Sequence, residues 1–178
     1  QNFKPAAEQK KINYQIELPR ISLHAYVDSE AFKKIISNLL NNAIKYADKF
    51  VALKLLPFSS EDSSFTIEVR NDGHTIPYDL KEKVFEPFYR MKETEKQPGT
   101  GIGLPLSRSL AELHRGLLEL KQPENKLNTF VLTLPIHQET EIDLTQPSIE
   151  EKTTDSPPEE EGPAESGKTN LLIVEDNR

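Results

Sequence analysis

The chain has 178 residues, which is enough for one domain with a substantial core and too few for two ordinary domains. The net charge of −7 is uneven, because residues 1–138 contain 19 Lys or Arg against 17 Asp or Glu, whereas residues 139–165 contain 10 acidic residues and one lysine. The sequence has no basic stripe for nucleic acid, no cysteine for disulfides or thiolate metal sites, and no apolar run approaching the ~20 residues of a membrane helix.

The first half of the chain predicts two strands and a long helix. Ile12–Leu18 alternates apolar and polar residues, which is typical of a half-buried strand, and a second short strand is expected at Leu23–Val27. Asp28 or Ser29 can cap a helix that runs to about Tyr46.

The second half predicts a hairpin, a short helix, a longer helix and a closing strand pair. Turn-forming residues separate the two strands of the hairpin, and the longer helix lies between Gly103 and Gly116. The expected elements are strands at 50–56 and 65–71, a short helix at 78–84, a polar loop at 91–98, a helix from Gly103 to His114, and strands at 117–120 and 129–134.

One face of the long helix carries polar residues that helix formation alone does not explain. Asn38, Asn42 and Lys45 fall within about 60° of one another around the helix axis. Amide oxygens can ligate a hard cation such as Mg²⁺, and a nearby ammonium can meet phosphate charge. The segment alone leaves two interpretations open, a site for a metal-bound polyphosphate and a solvated helix face.

The tight turn that follows the hairpin is a second candidate. Asn71 or Asp72 could present an oxygen to an exocyclic amine such as that of adenine, and Gly73 would let the base approach the backbone. Asn-Asp-Gly is also an ordinary turn signal, so a purely structural role remains open.

A glycine-rich segment, Gly99 to Leu104, opens the second long helix. Successive backbone N–H groups at a helix start favour a bound anion. The segment lacks the last glycine of a dinucleotide fingerprint and the GK[ST] ending of a P-loop, so a mobile flap and a plain linker are the alternatives. Arg90, which follows aromatic residues just before this flap, is positioned to reach phosphate.

Taken in order, NLLNNAIKY, NDGHTIP, VFEPFYR and GTGIGL resemble the N, G1, F and G2 boxes of the catalytic and ATP-binding domain of bacterial sensor histidine kinases. The resemblance covers about residues 18–136. It implies an α/β sandwich in which a mixed, mainly antiparallel sheet packs on about three helices, with ATP held between the N-box helix and a flexible lid.

The same resemblance implies the roles of individual residues. Catalytic roles would fall to Asn38, Asn42, Lys45 and Arg90, with Asn38 and Asn42 serving Mg²⁺. The residues implied to contact ATP are Asn42, Tyr46, Asn71, Asp72, Gly73, Ile76, Phe88, Tyr89, Gly99, Thr100, Gly101, Ile102, Gly103 and Leu104.

Three positions depart from related patterns. Asn71 stands where the G1 box usually has its adenine-binding aspartate, and Thr75 stands where it has a second glycine. Asn71 can still accept a hydrogen bond, but without charge assistance. Asn38 stands where gyrase and the ninety-kilodalton heat-shock chaperone have a water-activating glutamate, which favours phosphoryl transfer over hydrolysis.

By the same resemblance the chain is expected to be a cytoplasmic fragment of a hybrid kinase. Its partners would be a dimerising, phosphoaccepting helical domain and a receiver domain of the same parent, itself a homodimer, without nucleic-acid or membrane contact by this fragment. The expected segments are a leader at 1–11, the catalytic domain at 12–137, an acidic linker at 138–168, and the first strand of a receiver domain at 169–178.

Two other functions remain open at this stage. Asn71 and Thr75 allow a non-catalytic module with a degenerate nucleotide site, and the boxes also occur in serine kinases of the anti-sigma-factor type. The ending NLLIVEDNR, with Glu175 and Asp176 as receiver-like acidic residues, argues against the second.

Overall fold

A computed structural model describes residues 3–20, 22–59, 61–92, 97, 99–137 and 171–172. Within these residues, three α-helices and two short 3₁₀ helices accompany seven strands. The α-helices are α1 (Lys4–Gln9), α2 (Ser29–Tyr46) and α3 (Gly103–Leu113), and the 3₁₀ helices are Tyr78–Leu80 and Lys83–Phe85. The strands are β1 (Asn13–Glu17), β2 (His24–Ala25), β3 (Phe50–Leu55), β4 (Ser64–Asn71), β5 (Leu117–Leu120), β6 (Asn128–Pro135) and β7 (Leu171–Leu172).

Five of the strands form one mixed sheet in the order β1-β3-β4-β6-β5. The β1 strand pairs parallel to β3, and the other neighbours pair antiparallel. The parallel pair requires a crossover, which α2 provides. The α2 and α3 helices pack against this sheet and against each other, so the expected α/β sandwich is confirmed.

The α2 helix forms where its cap and periodicity predict. Asp28 is the cap, and its carboxylate accepts hydrogen bonds from the backbone N–H groups of Glu30 and Ala31 at 2.9 and 3.1 Å. The residues of its buried side are Ala31, Ile35, Leu39, Leu40, Ala43 and Ile44. Burying this stripe against the sheet leaves the asparagines on the other side of the helix.

The β3–β4 hairpin and strand β6 place alternate side chains in the core. Val51 pairs with Asn71 and Leu53 with Val69, so both strands direct the same parity of residues toward the helices. The strand expected at 129–134 is longer at each end, Asn128–Pro135, and it pairs along the whole of β4.

Two of the expected elements are present in a different form or length. The short helix expected at 78–84 is two 3₁₀ helices with a turn between them, and the second one ends where Glu86, the residue before Pro87, has an extended backbone. The strand expected at 23–27 is reduced to His24–Ala25, which pairs antiparallel with Leu171–Leu172. The linker expected at 138–168 lies outside the described residues.

Candidate functional site

A cleft of about 470 Å³ opens between the C-terminal half of α2, the turn after β4 and the start of α3. Its volume is within the range of small-molecule sites. Twelve of the residues implied from the sequence line it: Asn42, Lys45, Tyr46, Asn71, Ile76, Tyr89, Arg90, Gly99, Thr100, Gly101, Gly103 and Leu104.

The α2 helix contributes a cation and amide groups to the cleft. The Lys45 ammonium donates a hydrogen bond of 2.6 Å to the Tyr46 hydroxyl and lies 4.3 Å from the centre of that ring. A Cβ atom built on Gly99 would be only 2.7 Å from Lys45 Nζ, so the ammonium lies directly against the glycine-rich segment. The arrangement places one positive charge where an anion held by that segment would be.

Asn38 lies on α2 one turn before Asn42 and does not line the cleft. Its side-chain N–H donates to the carbonyl oxygen of Gly103 at 3.3 Å and to the hydroxyl of Ser107 at 3.2 Å. The Ser107 hydroxyl in turn donates to the Gly103 carbonyl at 2.9 Å. Asn38 therefore joins α2 to the first turn of α3, and its metal-binding role stays a prediction.

Two asparagines face each other across β4 and β6 in the deep part of the cleft. Asn71 and Asn128 are register partners, and they are only 4% and 2% exposed. The Asn128 side chain accepts from the Ile76 N–H at 2.8 Å and donates to the His74 carbonyl at 2.9 Å. The side-chain oxygen and nitrogen of Asn128 thus both stabilise the turn that follows β4.

Asp72 has contacts that the sequence interpretation did not anticipate. Its carboxylate accepts from the backbone N–H groups of Asp48, Lys49 and Phe50 at 2.9 to 3.1 Å. Partial burial acts to raise the pKa of Asp72, but these N–H donors outweigh it, and the net pKa is lowered. Asp72 therefore holds the link between α2 and β3.

Gly73 lies against the end of α2. A Cβ atom at this position would overlap the carbonyl oxygen of Tyr46. Neither Asp72 nor Gly73 lines the cleft, so their contact with a nucleotide stays a prediction.

The glycine-rich segment closes the cleft on the side of α3. Gly101 has a positive φ of 71°, and a Cβ there would lie 2.9 Å from backbone atoms of Phe88. The Phe88 N–H donates to the Gly101 carbonyl at 3.0 Å, so the end of this segment is held against Phe88. Phe88 and Ile102 are exposed, at 72% and 42%, and do not line the cleft.

Arg90 and Gln97 also line the cleft on the side of α3, and Arg90 donates a hydrogen bond to the carbonyl oxygen of Gln97. Residues 93–96 and 98 of the expected loop lie outside the described residues.

Sequence reasoning missed nine of the lining residues. They are Asn41, Asp48, His74, Val84, Met91, Gln97, Pro105, Asn128 and Phe130. Asn128 carried a usable signal, because it shares the parity of Phe130, Leu132 and Leu134, which places a polar residue at a core-facing position.

The chemistry of the lining suits a phosphorylated ligand with a planar, mostly apolar part. Lys45 and Arg90 supply positive charge, and the apolar side chains of Ile76 and Phe130 line the same cleft as the Asn71 amide. The described residues hold no group of three or more His, Asp or Glu that could bind a metal ion by themselves. A Mg²⁺ ion here would be ligated by the Asn42 amide oxygen together with phosphate and water oxygens.

None of the described helices is long and apolar enough to cross a membrane.

Comparison with known proteins gives a family match over residues 27–138, to the histidine kinase-, DNA gyrase B- and HSP90-like ATPases. The sensor histidine kinase TmoS of Ectopseudomonas mendocina is 33% identical over 138 residues, which are 76% of this chain and 14% of that protein. The sensor protein VanSC of Enterococcus gallinarum is 38% identical over 112 residues, 61% of this chain and 30% of that protein. The chain thus spans less than a third of these two relatives.

Among solved structures, the catalytic domain of the histidine kinase ThkA is similar, with a TM-score of 0.65 and 27% identity. The match covers 75% of this chain and 85% of that domain.

Proposed function

The chain belongs to the histidine kinase-, DNA gyrase B- and HSP90-like ATPase family, and from this membership we propose that it is the ATP-binding catalytic domain of a sensor histidine kinase. It would transfer the γ-phosphoryl group of ATP to a histidine on a separate dimerisation domain. The observation that carries the proposal is one cleft lined by Asn42 and Lys45 of α2 together with Arg90 and the glycine-rich segment. TmoS, VanSC and ThkA are all named as kinases or sensor proteins of this kind, which supports the same conclusion.

The chain's own residues would hold the triphosphate rather than react with it. Phosphoryl transfer depends mainly on positioning and on stabilising charge, and bound ATP with Mg²⁺ supplies the phosphoryl group. Lys45, fixed between the Tyr46 hydroxyl and Gly99, would lie beside the phosphates, and Arg90 would add a second positive charge. Asn42 would direct its amide oxygen to the metal, with Asn38 as a further candidate ligand.

Asn38 also favours transfer over hydrolysis. An amide cannot accept a proton from water at neutral pH, so this position cannot serve as a general base. The Asn38 N–H is moreover committed to Gly103 and Ser107. The γ-phosphoryl group would therefore be transferred to a histidine on another domain and not to water.

The larger assembly is part of the proposal. We infer a hybrid kinase in which this domain works with a dimerising helical domain and a receiver domain of the same parent, on the cytoplasmic side. The acidic segment 139–165 and the ending NLLIVEDNR, which resembles the first strand of a receiver, motivate the hybrid type. That ending also makes a serine kinase of the anti-sigma-factor type less favoured.

A non-catalytic module is the second candidate function, and Asn71 and Thr75 favour it. At these two positions the chain departs from the G1 pattern, and a weakened nucleotide site could leave only partner contacts. This alternative predicts no transfer to the parent's helical domain when that domain and ATP are supplied together. Acid-labile phosphohistidine on the helical domain would contradict it.

Calorimetric titration with a non-hydrolysable ATP analogue and Mg²⁺ tests the proposed nucleotide site. We expect binding to the whole chain, and a Kd at least about tenfold weaker in Asn42→Ala, because a metal ligand is lost. Asn13→Ala, an exposed residue of β1, is the matched control and should bind as the original chain does. No binding by the original chain, or equal Kd values in the original chain and Asn42→Ala, would contradict the proposal.

A further inference from the structure

The side-chain amide of Asn71 makes no hydrogen bond within the described part of the chain. The residue ends β4, is 4% exposed, and lines the cleft. Among the described residues no buried side-chain N or O atom lacks a partner, so the unpaired amide atoms of Asn71 are ones that the cleft leaves accessible, where a ligand can bond them. The part of a ligand that meets Asn71 should therefore carry hydrogen-bonding groups of its own.

The neighbouring polar groups leave the orientation of this amide open. Asn128, directly across the sheet, already uses both ends of its own amide on Ile76 and His74. Asp72, the next residue, has its carboxylate on the N–H groups of residues 48–50. Rotating the Asn71 amide by 180° would exchange its oxygen and nitrogen without breaking a hydrogen bond to the described residues.

An amide of free orientation can pair with two kinds of purine. Adenine presents a donor at its 6-amino group and an acceptor at N1, whereas a 6-oxopurine such as hypoxanthine or guanine presents an acceptor at O6 and a donor at N1. A carboxylate only accepts, so it would face the O6 of a 6-oxopurine with like charge. An amide has one donor and one acceptor, and it matches either edge after rotation.

We propose that Asn71 makes the cleft accept 6-oxopurine nucleotides as well as adenine nucleotides. The inference rests on the proposed nucleotide-binding function and concerns which base that site admits. The apolar part of the cleft lining supports it, because side chains such as Ile76 and Phe130 would recognise the shape of a purine ring and not the polarity of its edge. A site rejects an analogue strongly only where a buried polar group would be left unpaired or opposed.

The test compares ADP with IDP by calorimetric titration of the whole chain at one Mg²⁺ concentration. Hypoxanthine carries O6 and N1–H without the 2-amino group of guanine, so the two ligands differ only at the edge that meets Asn71. In the original chain, the Kd for IDP should lie within about tenfold of the Kd for ADP. Asn71→Asp should raise the ratio of the IDP and ADP values at least about tenfold, because a carboxylate opposes O6. Asn13→Asp, the same change on the exposed strand β1, should leave the ratio unaltered.

The outcomes separate this inference from the proposed function. Binding of ADP with a ratio above about 100 in the original chain would overturn the inference and leave the nucleotide site standing. A ratio that Asn71→Asp leaves unchanged would do the same, since Asn71 would then not select the base. Binding of neither nucleotide by the original chain would overturn both. Should Asn71→Asp fail to fold, the ratio in the original chain decides.

Discussion

The side-chain ammonium of Lys10 lies 3.1 Å from the carbonyl oxygen of Ile44, 34 residues away in sequence. The same ammonium donates to the carbonyl of Lys45, also at 3.1 Å. Both carbonyls belong to the last turn of α2, whose oxygens have no partners within the helix and carry its negative dipole end. The segment before β1 is thereby joined to the helix that lines the cleft.

Replacing Lys10 with Met should lower the free energy of unfolding by about 1 kcal/mol. The loss is that of two hydrogen bonds and one favourable charge at a helix C-terminus, reduced by solvent exposure. Urea unfolding followed by circular dichroism measures it. Lys11→Met is the matched control, because the exposed Lys11 side chain makes no hydrogen bond within the described residues. Equal losses in the two variants would show that the contact with α2 does not stabilise the fold.

Asp72 should make stability depend on pH in the acid range. Its pKa is lowered in the folded protein, so its stabilising effect is complete above the ordinary carboxylate pKa of about 4 and is lost as the pH falls through the folded value. Asp72→Asn should therefore cost about 1 to 3 kcal/mol at pH 7, and the difference from the original chain should shrink below about pH 4.

Denaturant unfolding at a series of pH values from 7 down to 3 checks this expectation. Asp79→Asn, in the exposed 3₁₀ helix Tyr78–Leu80, provides the comparison for loss of one negative charge. A difference between Asp72→Asn and the original chain that stays constant down to pH 3 would mean that the carboxylate does not stabilise the folded state by the proposed hydrogen bonds.

The sequence was sufficient for the elements whose causes are local. The helix from Ser29 to Tyr46 follows from one cap and a repeated apolar stripe, and the hairpin follows from two alternating runs around a turn. The parallel pairing of β1 with β3 was not predicted, because it joins segments separated by the whole of α2 and no local pattern specifies the partner. Long-range strand pairing depends on how the helix crosses the sheet.

In the candidate site, too, residues within one local motif were predictable, whereas contacts between distant segments were not. Residues grouped in short motifs, such as Asn42 and Lys45, were found because one helix face brings them together. The hydrogen bonds of Asp72 were not predicted, because its motif does not reveal that its partners are backbone N–H groups 22 to 24 residues earlier. Asn128 was missed because its partners, in the turn after β4, lie 52 and 54 residues away.

Gly73 should tolerate no side chain, whereas Gly103 should tolerate one methyl group. A Cβ on Gly73 would overlap the Tyr46 carbonyl, which is backbone and cannot rotate away, so Gly73→Ala should cost about 3 kcal/mol or more. A Cβ on Gly103 would be no closer than 3.8 Å to Asn38, and alanine favours the helix that begins there. Thermal unfolding compares the two; midpoints within about 2 °C of each other would contradict the close approach at Gly73.

Asn128 should support both the stability of the domain and the shape of the cleft. Asn128→Ala leaves the Ile76 N–H and the His74 carbonyl without their partner and opens a small cavity, so the free energy of unfolding should fall by about 2 to 3 kcal/mol. Because these two groups lie in the turn beside Asn71, the Kd for ADP should also weaken, by about tenfold, under conditions where the variant is fully folded. Urea unfolding and calorimetric titration measure the two effects, with Asn13→Ala as the exposed control. A stability loss with unchanged ADP affinity would restrict Asn128 to a structural role, and losses no larger than those of Asn13→Ala would contradict both expectations.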